Sequence, residues 1–191
     1  MDLAPDASLA GKDALRASIL AKRQSRVAQA PDLFRDFQTL SGLANPAAAS
    51  QPSQVWAIYA SVPPEPDTWP LITAAYEAGI DVLLPVLGSQ PNWARYAGPD
   101  QLRASWRGIL EPTTPALGPE ALRAADLIIV SGLAGTPQGD RLGTGGGWYD
   151  RALAWASPQA QKVLLLYEGE IFDELPTDPW DVRVDSIATA G

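Results

Sequence analysis

Val55-Trp56-Ala57-Ile58-Tyr59-Ala60 is an unbroken apolar run. After the proline-rich stretch Pro63 to Pro66, it is followed by Asp67 to Ala78, then Gly79, then the second run Ile80 to Leu87. The two runs read as buried strands, and the segment between them reads as a helix closed by Gly79. A strand, a helix and a strand at this spacing imply a right-handed crossover and a parallel sheet. The prolines put Glu65 on a stiff loop at the carboxyl end of the first strand, where open α/β sheets take their ligand contacts.

The pattern extends in both directions. Downstream, Gly88 to Pro119 is loop-rich, with short strands near Ala94-Arg95-Tyr96, and Glu120 to Ala124 forms a helical turn. Asp126 to Val130 reads as a central strand and Lys162 to Tyr167 as another. Glu168 to Leu175 reads as a turn or short helix, and Val182 to Ile187 as a terminal strand. Upstream, residues 9 to 28 read as a helix, Asp32 to Leu43 as a second one, and Asn45 to Ser53 as a loop. No internal repeat, heptad pattern or linker interrupts the chain. The expectation is one α/β domain spanning 1–191, a three-layer fold with a mostly parallel central sheet and helices on both faces.

Between Val130 and Lys162 lies Arg141-Leu142-Gly143-Thr144-Gly145-Gly146-Gly147-Trp148-Tyr149-Asp150-Arg151. Leu127-Ile128-Ile129-Val130 precedes it, and a helix-compatible run from Trp148 to Ala156 follows, ending near Ser157-Pro158. A strand, a glycine loop and a helix start make a place where bare backbone amides converge on an anion, usually phosphate. No lysine follows the glycines, which excludes a Walker A loop, and Trp148 occupies the place of the last glycine of a dinucleotide fingerprint. A plain flexible turn is the alternative, but four glycines each cost about 0.5–1 kcal/mol relative to alanine.

Composition narrows the chemistry. The 191 residues, 46% of them hydrophobic, suffice for one substantial core. There is no cysteine and no histidine. That excludes Cys/His zinc sites, thiol nucleophiles, disulfides and imidazole bases. Carboxylates, Lys, Arg, Tyr, hydroxyls, backbone amides or a hard metal ion remain, which favours phosphoryl chemistry. A net charge of −8 argues against nucleic-acid binding. Acidic Asp2 and Asp6 do not fit a signal peptide, and no apolar run is long enough to span a membrane. A cytoplasmic protein is expected. On the first helix, Lys12, Arg16 and Arg23 fall within about 40° of one another. The stripe fits either a solvated helix face or a row of ligand contacts.

These segments together resemble the 5-formyltetrahydrofolate cyclo-ligase family, also called 5,10-methenyltetrahydrofolate synthetases. The likeness is carried by Lys12-x-x-Leu15-Arg16, by Ala60-Ser61 with Glu65-Pro66-Asp67-Thr68, and by Gly108-Ile109-Leu110-Glu111-Pro112. It continues through Asp126 to Ala134, then Gly139-x-Arg141 to Arg151, and ends on Leu175-Pro176 and Asp181-x-x-Val184-Asp185-x-Ile187-x-Thr189. The order is collinear over nearly the whole chain.

The resemblance implies ATP- and Mg2+-dependent closure of 5-formyltetrahydrofolate to 5,10-methenyltetrahydrofolate, with release of ADP and phosphate through a phosphorylated N5-formyl group. Its carry-over assigns ATP contacts to Lys12, Arg16 and the loop Arg141, Leu142, Gly143, Thr144, Gly145, Gly146, Gly147, Trp148 and Tyr149. Arg141 and Lys12 would be the catalytic cations. Folate contacts fall on Arg16, Ala60, Glu65, Trp106 and the loop middle from Thr144 to Trp148, and magnesium on Asp150 and Asp181. Trp106 fits ring stacking or core packing equally. Glu65 also fits a solvated loop acid, and Asp150 a charge at a helix start beside Arg151. The small-molecule folate is the expected partner, with no nucleic acid, no membrane and a monomer. The chain departs from the family at Trp180, where histidine is common, and at Gly135-Thr136, which replace an aromatic and an acid. Those departures leave room for a non-catalytic relative that binds folate or nucleotide, or for an ATP-dependent enzyme acting on another substrate.

Overall fold

The computed structural model describes residues 7–25 and 54–190. Its centre is a six-stranded sheet built from β1 (Val55–Ile58), β2 (Asp81–Val86), β3 (Asn92–Arg95), β6 (Leu127–Ser131), β9 (Gln161–Tyr167) and β10 (Ser186–Ala190). The spatial order is β10-β9-β6-β1-β2-β3. All neighbours pair in parallel except β3, which runs antiparallel to β2 at one edge. Both faces of the parallel part are apolar because both are covered, as parallel sheets require. Trp56, Ile58, Val82, Leu84, Leu127, Ile129, Val163 and Leu165 point to one face. There they meet Leu71, Ile72 and Ala75 of helix α2 (Trp69–Glu77). Ala57, Leu83, Ile128, Val130, Leu164 and Leu166 alternate to the other face. That side is closed by Leu122 of the 3-10 turn Pro119–Ala124, by Ala125 just after it, and by Ala152 and Leu153 of helix α3 (Trp148–Leu153). Each large side chain buried this way contributes about 1.5–3 kcal/mol. The arrangement is the layered, mostly parallel α/β fold read from the sequence, with the β1–α2–β2 crossover as its seed.

A small antiparallel ribbon, β7 (Ala134–Gly135) with β8 (Arg141–Leu142), sits beside the main sheet. Helix α1 (Ala7–Gln24) packs Ile19 and Leu15 against this ribbon through Leu133, Ala134 and Leu142. Arg23 fastens its end. The guanidinium is 2% exposed and donates to both carboxylate oxygens of Glu170, at 2.8 and 2.7 Å, and to the Gly132 carbonyl at 2.8 Å. The basic stripe is therefore not a solvated face. A further hairpin, β4 (Leu102–Ala104) with β5 (Leu110–Pro112), lies in the region read as loop-rich.

Two elements begin or end elsewhere than the sequence reading puts them, and the last strand also runs on past Ile187 to Ala190. Helix α3 ends at Leu153, not near Ser157, because the amides of Trp155 and Ala156 bond three residues back and tighten the chain into a turn. The last strand starts at Ser186, not Val182. Val184 gives its amide to the Gly139 carbonyl in the ribbon turn, so pairing with β9 waits until Ser186 meets Val163. The expected helix Asp32 to Leu43, the loop Asn45 to Ser53 and residues 26–28 lie outside the described residues.

Candidate active site

A cleft of about 1060 Å3 opens at the carboxyl ends of β1, β2 and β6. Tyr59 and Ala60 follow β1, Leu87 and Gly88 follow β2, and Ser131 closes β6; all five line it. From β1 the chain moves outward to β2 on one side, while β6 lies on the other. This is the switch point at which such sheets leave a crevice. Lys12, Arg16, Ala60, Glu65, Trp106, Arg141 through Tyr149, Asp150 and Asp181 all line the same space. The residues singled out from sequence, separated by up to 169 positions, are brought together.

The glycine loop reaches the cleft by a different route from the simple one. The ribbon β7–β8 intervenes between β6 and the glycines, so the loop leaves β8 and not the central strand. Gly145 at φ 99° and Gly147 at φ 60°, the cap of α3, take left-handed backbone that a side chain would resist. Arg16 Nε donates to the Gly143 carbonyl at 3.0 Å, and Arg151 donates to the Gly146 carbonyl at 3.1 Å. These contacts turn two carbonyls toward cations while Thr144, Gly145 and Gly146 stay exposed. Helix α3 has only six residues. The anion field here comes from loop amides and side-chain cations more than from a helix dipole.

The charges are paired in a consistent way. Arg141, 8% exposed, donates to Asp150 Oδ1 at 2.6 Å, and its Nε is buried with no acceptor. An orphaned guanidinium N–H in a cleft wall suits an anion supplied from outside. Lys12, 4% exposed, places Nζ 2.6 Å from Asp178 Oδ2 and 2.7 Å from Asp181 Oδ2. Burial alone would lower the Lys12 pKa; hydrogen bonds and charge from the two carboxylates overturn that and hold the ammonium above its ordinary value. The Val182 amide donates to Asp150 Oδ1 at 3.2 Å, which ties Asp150 to the residue after Asp181. Among the described residues no three acidic or imidazole side chains converge into a ready-made metal cage. A magnesium ion needs no such cage, since it takes one or two carboxylates and fills its shell with water and phosphate oxygens. Asp150 and Asp181 have the right chemistry for that role.

The other side of the cleft is more apolar. Glu65 is pinned: Oε2 accepts the Val62 amide at 3.0 Å and Oε1 accepts the Ser131 hydroxyl at 2.8 Å. It is therefore no freely solvated loop acid. Its loop is held by Tyr59, which donates to the Pro66 carbonyl at 3.0 Å, and by Tyr167, which donates to the Glu65 carbonyl at 3.1 Å. The Tyr149 hydroxyl is buried toward the Ser131 backbone without hydrogen-bond geometry; burial first, then the Glu65 charge, push its pKa well above the usual phenol value. Trp148 packs edge-on against Trp93 and Tyr149, so it serves the core as well as the cleft. Trp106 is 65% exposed and carries Arg107 over its ring at 4.3 Å, which removes the core-packing reading. Trp180 is 69% exposed and also lines the cleft.

Gly135 and Thr136 are not cleft-lining. A Cβ on Gly135 would lie 2.7 Å from Leu164 and 2.8 Å from Ile187, and the Thr136 hydroxyl is used within the ribbon turn by Asp140. Their departure from the family pattern is a matter of ribbon packing. The sequence reading missed Asp178 and Tyr59. Asp178 had a signal, an acid three residues before Asp181, whereas nothing local marks Tyr59 among the apolar residues of its strand.

Fold and cleft define a mostly parallel α/β protein with a crevice at the sheet's switch point, lined by buried cations, exposed glycine amides and aromatic side chains. The family model of 5-formyltetrahydrofolate cyclo-ligases matches residues 8–190, and the chain belongs to that family. It is 33% identical over 187 residues to the 5-formyltetrahydrofolate cyclo-ligase of Mycolicibacterium smegmatis, covering 93% of each chain. It is also 33% identical over 138 residues to the Escherichia coli enzyme of the same name, covering 70% of this chain and 76% of that one. Among solved structures, the 5,10-methenyltetrahydrofolate synthetase of Aquifex aeolicus has a TM-score of 0.69 at 30% identity, over 93% of this chain and 89% of that one.

Proposed function

We propose that the chain closes 5-formyltetrahydrofolate to 5,10-methenyltetrahydrofolate at the expense of ATP. The supporting observation is the convergence of Lys12, Arg16, Arg141 and the exposed glycine amides with Glu65 and Trp106 in one cleft. The triphosphate lies along the loop from Arg141 to Tyr149, with Lys12 and Arg16 on its flank. Arg141 meets the terminal phosphoryl group, because a guanidinium offers a planar fork and its Nε lacks an acceptor. Asp150 and Asp181 would hold a magnesium ion, which would supply neutralisation of the phosphate charge. Glu65 accepts hydrogen bonds from pterin N–H groups through lone pairs left by Val62 and Ser131, Ala60 leaves room for the ring, and Trp106 stacks on it at the mouth.

The protein's contribution is positioning and charge compensation. With both substrates aligned, the formyl oxygen attacks the terminal phosphorus and ADP leaves. N10 then attacks the activated carbon, loses its proton, and phosphate departs. Arg141 and Lys12 stabilise charge on the transferring group. Incubation with 5-formyltetrahydrofolate and Mg-ATP is expected to give ATP-dependent methenyl absorbance; its absence at every enzyme concentration overturns the proposal. Folate binding by calorimetry without turnover would favour the non-catalytic reading, for which Trp180 is the remaining motive.

A further inference from the structure

We infer that Asp178 is a positioning residue for Lys12, and that the cleft rests with its cations and carboxylates cross-paired, so that nucleotide and metal enter by exchanging partners. The inference rests on the reading just given. The two cations assigned to the transferring phosphate are each held by a carboxylate assigned to metal: Arg141 by Asp150 at 2.6 Å, Lys12 by Asp181 at 2.7 Å; Arg16 pairs instead with Asp13. Asp178 is the extra acid, 2.6 Å from the same Nζ.

The turn carrying these acids is a built seat. The Asp178 amide donates to Asp181 Oδ2 at 2.7 Å, and the Asp181 amide donates to the Asp178 carbonyl at 3.1 Å. One oxygen of Asp181 thus receives both a backbone donor and the ammonium. The Asp178 carboxylate receives Lys12 and makes no hydrogen bond to the Asp150–Val182 side of the site. The two acids are therefore not equivalent. The backbone next to Asp181 is tied to Asp150 through the Val182 amide, which makes Asp181 the one a cation from solution would engage. Asp178, beside Asp181 on the same Nζ but outside the Asp150–Val182 hydrogen bond, remains on Lys12 after Asp181 has turned to the metal. A buried ammonium stripped of every counter-charge is costly, and Asp178 keeps this one charged and aimed at the loop during the exchange.

Removing Asp178 has a consequence that general destabilisation does not. With Asp181 as its sole remaining acid, Lys12 binds that carboxylate more exclusively, and the metal must compete harder for it. The quantity to read is the factor by which Mg2+ strengthens ATP binding. ATP would be titrated calorimetrically into the full chain without folate, once with EDTA and once with excess Mg2+. In Asp178→Asn we expect that factor to fall about fivefold or more, and Asp178→Glu to restore part of it. A factor unchanged within about twofold, even with both affinities lowered, overturns the inference and leaves the proposed function standing. A wild-type chain that binds ATP under neither condition overturns both. A second measurement serves if Asp178→Asn does not fold: Mn2+ alone, titrated into wild type and Lys12→Gln. Competition at Asp181 predicts several-fold tighter Mn2+ binding in the variant, and equal or weaker binding rejects the exchange.

Discussion

In the proposed reaction, Arg141 is the residue on which the chemistry would turn most directly. It is buried to 8% exposure, has one carboxylate partner, and keeps a donor without an acceptor. Arg141→Ala is expected to lower turnover by about two orders of magnitude or more, by analogy with losing one preorganised charge donor at a developing anion. Near-normal turnover in that variant would remove Arg141 from the phosphoryl step. Tyr59 and Tyr149 give a second prediction at this scale. Burial first, and the Glu65 charge second, raise both phenol pKa values. An unfolded tyrosine ionises near pH 10, so both residues favour the unfolded state progressively as pH rises above that value, while below it they impose no such penalty. Of the five tyrosines, these two are expected to gain phenolate absorbance only with alkaline unfolding. Early ionisation of all five would contradict the buried environment.

Helix α1 shows how an element is placed by charge as much as by apolar contact. Its apolar side is thin, chiefly Ile19 and Leu15, and Lys12 and Arg23 dock through buried ion pairs to Asp178, Asp181 and Glu170. Breaking such a pair leaves an uncompensated charge. Arg23→Met should destabilise the fold by about 3–5 kcal/mol in denaturant unfolding, and Arg23→Met with Glu170→Met should recover much of that loss. If the double variant is no better than the single one, the ion pair is not the anchor. Helix α3 makes a different point. Its cap, Gly147, holds φ 60°, and Gly147→Ala should cost about 1–2 kcal/mol. Because this residue also shapes the loop, the KM for ATP should rise with it.

On the scale of the whole molecule, the cleft joins three bodies: the carboxyl edge of the sheet, the ribbon with its glycine loop, and helix α1. A ligand that touches all three stabilises them together. At about 100 times its Kd, Mg-ATP should add about 2.7 kcal/mol, which is roughly 5–10 °C in Tm for a domain of this size. A null shift at saturating ligand would mean that the cleft is not where the nucleotide binds.

The β1–α2–β2 crossover was legible because its apolar runs, its helix and its closing glycine are local signals that act within a few residues. The glycine loop and the inventory of cations and acids were legible for the same reason, and the family pattern assembled them into one expected site. The pairing of Lys12 with both Asp178 and Asp181 was not, and neither was the Arg23–Glu170 clamp or the seating of α1 on the ribbon. The shortened α3 and the late start of β10 were also hidden. The amino-acid sequence by itself determined which segments become the central strands of the parallel sheet and which residue types are available for phosphate and metal. Only the tertiary structure decided which charge faces which, because partners more than a hundred positions apart meet through packing of the whole chain, and no backbone periodicity records it.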